Sequence, residues 1–87
     1  MNQLARLKHI LYRKVKAKAL TNENSARHID INLGEVSREI GCTVNDVQRF
    51  LTQLQDKGEI KALIQVSFDK NNYTLTVLEK SSIMNLE

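Results

Sequence analysis

Proline and tryptophan are missing from these 87 residues, cysteine occurs once, glycine three times, and phenylalanine and tyrosine twice each. With so few aromatics among 41% hydrophobic residues, a core has to be built from Leu, Ile and Val on short, closely packed elements. At this length one core is the expectation and a second domain is not, so residues 1–87 read as a single domain. The lone thiol, Cys42, excludes an internal disulfide and fits a reducing compartment. No apolar run approaches the roughly 18 residues needed to span a bilayer, and the first residues lack the continuous apolar stretch of a secretion signal. A cytoplasmic protein without membrane attachment is expected.

The scarcities also bound the chemistry. There are two histidines, and neither His9 nor His28 stands at a metal-ligand spacing with Cys42 or with a pair of carboxylates. His9 reads as part of a basic helix face, His28 as a strand or loop residue, and Cys42 as a small apolar turn residue. Gly34, Gly41 and Gly58 all fall at helix boundaries, which leaves none for a loop that cradles phosphate. No grouping of Ser, His and Asp has supporting glycines. The expectation is a binding protein: no enzyme, no cofactor, no metal and no small-molecule substrate.

Acid is absent from residues 1–22, which carry Arg6, Lys8, Arg13, Lys14, Lys16 and Lys18; the remainder holds more acids than bases. The net charge of +3 therefore conceals a local positive field, which suits a polyanionic or acidic partner. A solvated helix face is the plainer explanation. An acid-free, Arg-containing start also resembles a mitochondrial presequence or an interfacial helix, but removing it would strip the domain of a helix and expose its core.

Leu4, Leu7, Leu11 and Val15 recur at helical spacing, with Arg6, His9, Arg13 and Lys16 opposite them, so a first amphipathic helix is expected to end near Ala19 or Leu20. The polar run 21–25 reads as a loop. Ile29, Ile31 and Leu33 alternate with polar neighbours as a short half-buried strand does. Asn32 and Glu35 open a second helix carrying Val36 and Ile40, which stops at Gly41. Thr43 and Asp46 form a capping box for a third helix, whose buried stripe is Val44, Val47, Leu51 and Leu54, with Phe50 beside it, closed by Gly58. Alternation resumes through Ile60, Ala62, Ile64, Val66 and Phe68, then Tyr73, Leu75 and Val77, as in a hairpin. A four-residue loop would set Phe68 opposite Tyr73, Val66 opposite Leu75 and Ile64 opposite Val77, and would leave Leu63 and Leu78 as an apolar pair on the other face. The tail 81–87 is too short to assign.

The stretch Val36-Ser37-Arg38-Glu39-Ile40-Gly41-Cys42-Thr43-Val44-Asn45-Asp46-Val47-Gln48-Arg49-Phe50-Leu51-Thr52-Gln53-Leu54-Gln55-Asp56-Lys57-Gly58-Glu59-Ile60 resembles the winged helix-turn-helix pattern of small bacterial, phage and plasmid regulators. The shared features are an apolar, small, polar, polar, apolar, Gly sequence, a turn, and a helix ending in Leu-x-x-x-Gly-x-Ile. The likeness extends from about residue 29 to 79. It implies an α+β fold of three helices, a short first strand and a C-terminal two-stranded hairpin or wing. The third helix, 44–57, would enter the DNA major groove and the wing would touch backbone or minor groove.

That helix turns Asn45, Asp46, Gln48, Arg49, Thr52, Gln53 and Gln55 outward. Amide, hydroxyl and guanidinium groups match the donor and acceptor pattern of base edges: Arg49 suits a guanine, Asn45 or Gln48 an adenine. A neutral polar face without a ligand is the plainer alternative. Asp46 would repel phosphates, and the capping box gives it a structural role instead. By the resemblance Thr43 would reach a phosphate. Lys70 is the one base at the wing tip, so phosphate charge would be met mainly by Arg38 and by first-helix residues such as Arg13 and Lys16. The expectation is a sequence-selective regulator of transcription or of plasmid or phage maintenance, binding double-stranded DNA as a homodimer on the nucleoid. The alternative is a protein-interaction module whose basic first helix, aided by Leu63 and Leu78, docks on an acidic partner. RNA binding is disfavoured by the shortage of exposed aromatics.

Overall fold

Local capping signals start and stop the helices. The computed structural model describes residues 2–21, 26–66 and 70–86. Helix α1 spans Gln3–Ala19, opened by the Asn2 side chain, which accepts from the Ala5 N–H at 2.7 Å. Its buried face is Leu7, Ile10, Leu11 and Val15, with Leu4 half-buried. The expected loop 21–25 lies mostly outside the described residues.

Strand β1, His28–Asn32, buries Ile29 and Ile31 in alternation. Its last residue is also the N-cap of α2, Leu33–Ile40: the Asn32 Oδ1 accepts from the Glu35 N–H, while its Nδ2 donates to Asn72 Oδ1 at 2.8 Å. One side chain thus starts a helix and ties it to the sheet. Gly41 ends α2 at φ 86°, ψ 42°, a left-handed conformation open to glycine without penalty, and the N–H groups of Gly41 and Cys42 both return to the Ser37 carbonyl. Helix α3, Val44–Asp56, follows at once, with both halves of the Thr43/Asp46 capping box formed. It buries Val47, Leu51 and Leu54, and closes in a Schellman motif, Glu59 N–H to Leu54 carbonyl and Gly58 N–H to Gln55 carbonyl.

Strands β2, Ile60–Gln65, and β3, Asn72–Val77, complete a three-stranded antiparallel sheet in the order β1-β3-β2. The fold is thus a small α+β domain of three helices and one antiparallel sheet. Helix α1 lies against β1, α2 and a C-terminal 3-10 helix, Ser82–Asn85. That tail, unassigned from sequence, is anchored: Ile83 is fully buried, and the Glu59 carboxylate accepts from the Ser81 hydroxyl at 2.6 Å, the Ser82 hydroxyl at 2.6 Å and the Ser82 N–H at 2.9 Å.

The hairpin register corrects the expected one. Val77 faces Ile60 and Thr74 faces Ile64, so Ile64 does not meet Val77; the expected partnership of Val66 with Leu75 gives way to a bond from the Val66 N–H to the Asn72 carbonyl. Phe68 lies outside the described residues. The cause is a bulge between Lys61 and Ile64, where Ala62 takes φ 52° and two residues of β2 oppose one of β3. A one-residue insertion exchanges the faces beyond it. Leu63 therefore packs on the core, and Ile64 and Val66 are left 60% and 37% exposed.

Ala62 yields a test in which two rules predict opposite signs. Strand propensity would make Ala62→Val neutral or stabilising, whereas the positive φ makes a β-branched residue strained by about 2 kcal/mol. Urea denaturation is expected to show that loss, with Ala62→Gly close to the parent. A stabilised valine variant would contradict the bulge.

Candidate nucleic-acid interface

Because α3 buries Val47, Leu51 and Leu54 on one side, its 3.6-residue period turns Asn45, Gln48, Arg49, Thr52 and Gln53 to the other, and all five are exposed. Three of these side chains are oriented by neighbours. Gln48 Nε2 donates to the Tyr73 hydroxyl at 3.3 Å. Thr52 donates its hydroxyl to the Gln48 carbonyl at 3.0 Å, which leaves its oxygen able to act as an acceptor. Arg49 Nη2 donates to Asp46 Oδ1. Thr43, exposed at the helix start, accepts from the Asp46 N–H at 3.1 Å and keeps its own hydroxyl hydrogen for an outside acceptor.

Asp46 is not a bare negative charge on this face. Its carboxylate takes Arg49 on one oxygen and the Thr43 N–H on the other. The Arg49 bond first, then the Thr43 bonds, hold its pKa below the usual aspartate range. Cys42 beside it moves the other way: burial and then the Asp46 charge push the thiol up, so it stays protonated where it packs on the core.

The hairpin end adjoins this surface. The Gln48–Tyr73 bond joins α3 to β3, and the Leu33 N–H donates to the Asn71 carbonyl at 2.7 Å, joining the turn to the start of α2. Lys70 is exposed at that turn, where its carbonyl accepts from Gln65 Nε2 at 2.8 Å. Arg38 is exposed on α2, with Nη1 lying 3.7 Å from where a Cβ on Gly34 would sit, beside Asn71. Lys70, Arg38 and the outward face of α3 thus gather at one end of the domain.

The first-helix cations have different neighbours. Arg13 is paired with Glu39 at 2.8 Å, and Lys16 lies over the Tyr12 ring, 5.7 Å from its centroid. It is Arg6 that reaches the inter-helix turn, donating to the Ile40 carbonyl at 3.3 Å, with Gln3 Nε2 on the Gly41 carbonyl at 3.4 Å. At 1.5 Å per residue, Arg13 and Lys16 stand about 10 and 15 Å further along α1. The basic period contained Arg6, but spacing alone does not say which end of a helix meets the turn. Lys8 and Lys18 are engaged as well, on the Ser82 hydroxyl and the His28 carbonyl, so several of the α1 cations serve to dock the helix.

Among the described residues no cluster of His, Cys, Asp and Glu is arranged to hold a metal ion, and no helix is long and apolar enough to cross a membrane. Comparison of the chain with protein-family models, curated proteins and solved structures finds no match.

Proposed function

We propose that this chain is a winged helix-turn-helix module that reads double-stranded DNA through the outward face of α3, with the β2–β3 turn as the wing. The order helix, strand, helix, tight turn, helix, hairpin supports the reading, as does a sheet in which the first strand pairs with the last. The observation that carries it is the exposure of Asn45, Gln48, Arg49, Thr52 and Gln53 on a helix whose opposite side is locked in the core. These are the side chains that pair with base edges, and nothing among the described residues covers them. Arg6, Arg38 and Lys70 supply phosphate contacts and Thr43 one more.

The function proposed is binding, with no catalytic step. A recognition helix of 13 residues reads too few base pairs for strong selectivity alone, so the proposal includes a homodimer on two half-sites about one helical turn apart. Regulation of transcription or of plasmid or phage maintenance, on the nucleoid in the cytoplasm, is the role such a reader fits. A second reading, docking on an acidic protein, would use the basic α1, but Leu63, which it counted on for an apolar contact, packs partly against the core.

Binding-site selection from random duplexes, followed by anisotropy titration at several salt concentrations, tests the proposal. The expected result is an enriched motif bound about a thousandfold more tightly than random duplex. Three phosphate cations give a log-log salt slope of about −3 per protomer. Equal binding to every sequence, or none, would overturn it.

A further inference from the structure

We infer that Asp46 is a positioning residue for base recognition, holding the Arg49 guanidinium so that its free edge is presented to a guanine. This rests on the DNA-binding reading of α3 given above.

An arginine on a helix surface samples many rotamers, and fixing it on a base forfeits that side-chain entropy. Arg49 is 75% exposed, yet its Nη2 is engaged by Asp46 one turn earlier in the helix. The anchor is itself held at two points. Asp46 Oδ2 accepts from the Thr43 N–H at 3.3 Å, and the Asp46 N–H is held by Thr43 Oγ1 at 3.1 Å, so the carboxylate is fixed to the backbone at the helix start. An ordinary surface pair joins two flexible chains and contributes little. Here one partner is part of a capping box and only 27% exposed.

Guanidinium carries five N–H donors in a rigid plane, of which Asp46 takes one. Those remaining include two parallel donors on one edge, the geometry that meets O6 and N7 of guanine. Adenine places an amino group where guanine has O6 and would clash donor to donor. The same carboxylate also discourages phosphates from approaching Arg49, which lowers affinity for non-cognate DNA and so widens the discrimination. Among the described residues Asn45 and Gln53 have no comparable support, and Gln48 has one neutral bond to the Tyr73 hydroxyl, so the sharpest base preference is assigned to Arg49.

A capping role alone makes a different forecast. It would let Asp46→Asn alter stability while leaving base preference untouched. The experiment is binding-site selection with the full chain as parent, Asp46→Asn, Arg49→Lys and Arg49→Ala, read as the preference for guanine over the other bases at each position. A ratio measured within one protein sample is independent of its folded fraction. The parent is expected to show one strongly preferred guanine, and Arg49→Lys and Arg49→Ala to lose it. Asp46→Asn is expected to weaken that preference about tenfold while affinity for random duplex is unchanged or rises. If Asp46→Asn retains the parent's preference at every position, the positioning role is wrong although the DNA reading stands. If the parent itself shows no preference, the DNA reading fails and the inference with it.

Discussion

Deleting residues 81–87 is expected to lower the unfolding free energy by about 4 kcal/mol, a loss shared between one buried aliphatic side chain and a set of hydrogen bonds to a carboxylate. Ile83 is fully buried and Ser81 nearly so. The 3-10 helix that carries Ile83 packs on α1, while Ser81 and Ser82 bond to Glu59 in the segment that links α3 to β2. For a domain of this size the melting temperature should fall by roughly 20 °C. A fall of less than about 5 °C would show that the tail is not anchored as described. Acid supplies a second readout. Burial by itself raises the Glu59 carboxyl, but the Ser81 hydroxyl, the Ser82 hydroxyl and N–H, and the nearby Lys8 outweigh it, leaving its pKa below the usual glutamate range. A carboxylate lowered on folding stabilises the fold above its unfolded value, about 4.3, and that contribution disappears as pH falls through the folded value. Glu59→Gln should therefore be less stable than the parent at neutral pH, and the gap should narrow below about pH 4.

This anchor was invisible in the sequence for the same reason that the helices were legible. Asn32, Gly41, the Thr43/Asp46 box and Gly58 each act on backbone groups within about four residues, so their meaning is complete in the local string. Glu59 acts across 22 residues to Ser81 and 23 to Ser82, Ile83 packs towards a helix at the other end of the chain, and nothing in Ser-Ser-Ile-Met marks an apolar residue destined for α1. The hairpin failed on one residue. Alternation from Ile60 to Val66 is regular, and only a non-glycine at positive φ, Ala62, breaks it. Neither composition nor propensity announces that choice. Pairing of β1 with β3 is likewise a long-range outcome, stated in the structure by five facing pairs from His28↔Thr76 to Asn32↔Asn72.

The candidate site divides along the same line. The outward set on α3 follows from helical periodicity and was readable in full. Asp46 and Arg49, at spacing three with opposite charges, are readable as a pair too, but the capping box is a sufficient account of Asp46 in the sequence alone. The bond from Gln48 to Tyr73 and the placement of Arg6 at the turn required coordinates, since both join elements far apart in the chain.

Leu51→Ala is expected to cost about 3 kcal/mol, a large part of the stability of a fold this small. Leu51 is fully buried midway along α3, and truncating it removes Cγ and both Cδ carbons to leave a void that a close-packed core only partly closes. In urea the midpoint should move down by roughly 2 M. Thr52, its neighbour, is exposed because the next residue on a helix is turned by about 100°. If the DNA-binding proposal holds, one helix carries stability on one side and recognition on the other, and the two should separate on mutation. Asn45→Ala and Gln53→Ala should leave the urea midpoint nearly unchanged, within about 0.5 kcal/mol, while altering which bases are preferred. Leu51→Ala should do the reverse, keeping the parent's preference in whatever fraction remains folded. A Leu51→Ala variant that loses under about 1 kcal/mol would mean that α3 is not clamped from behind. One that changes base preference would mean that the rod bends when its buried side is hollowed, and reading and packing would then be one property of α3 instead of two.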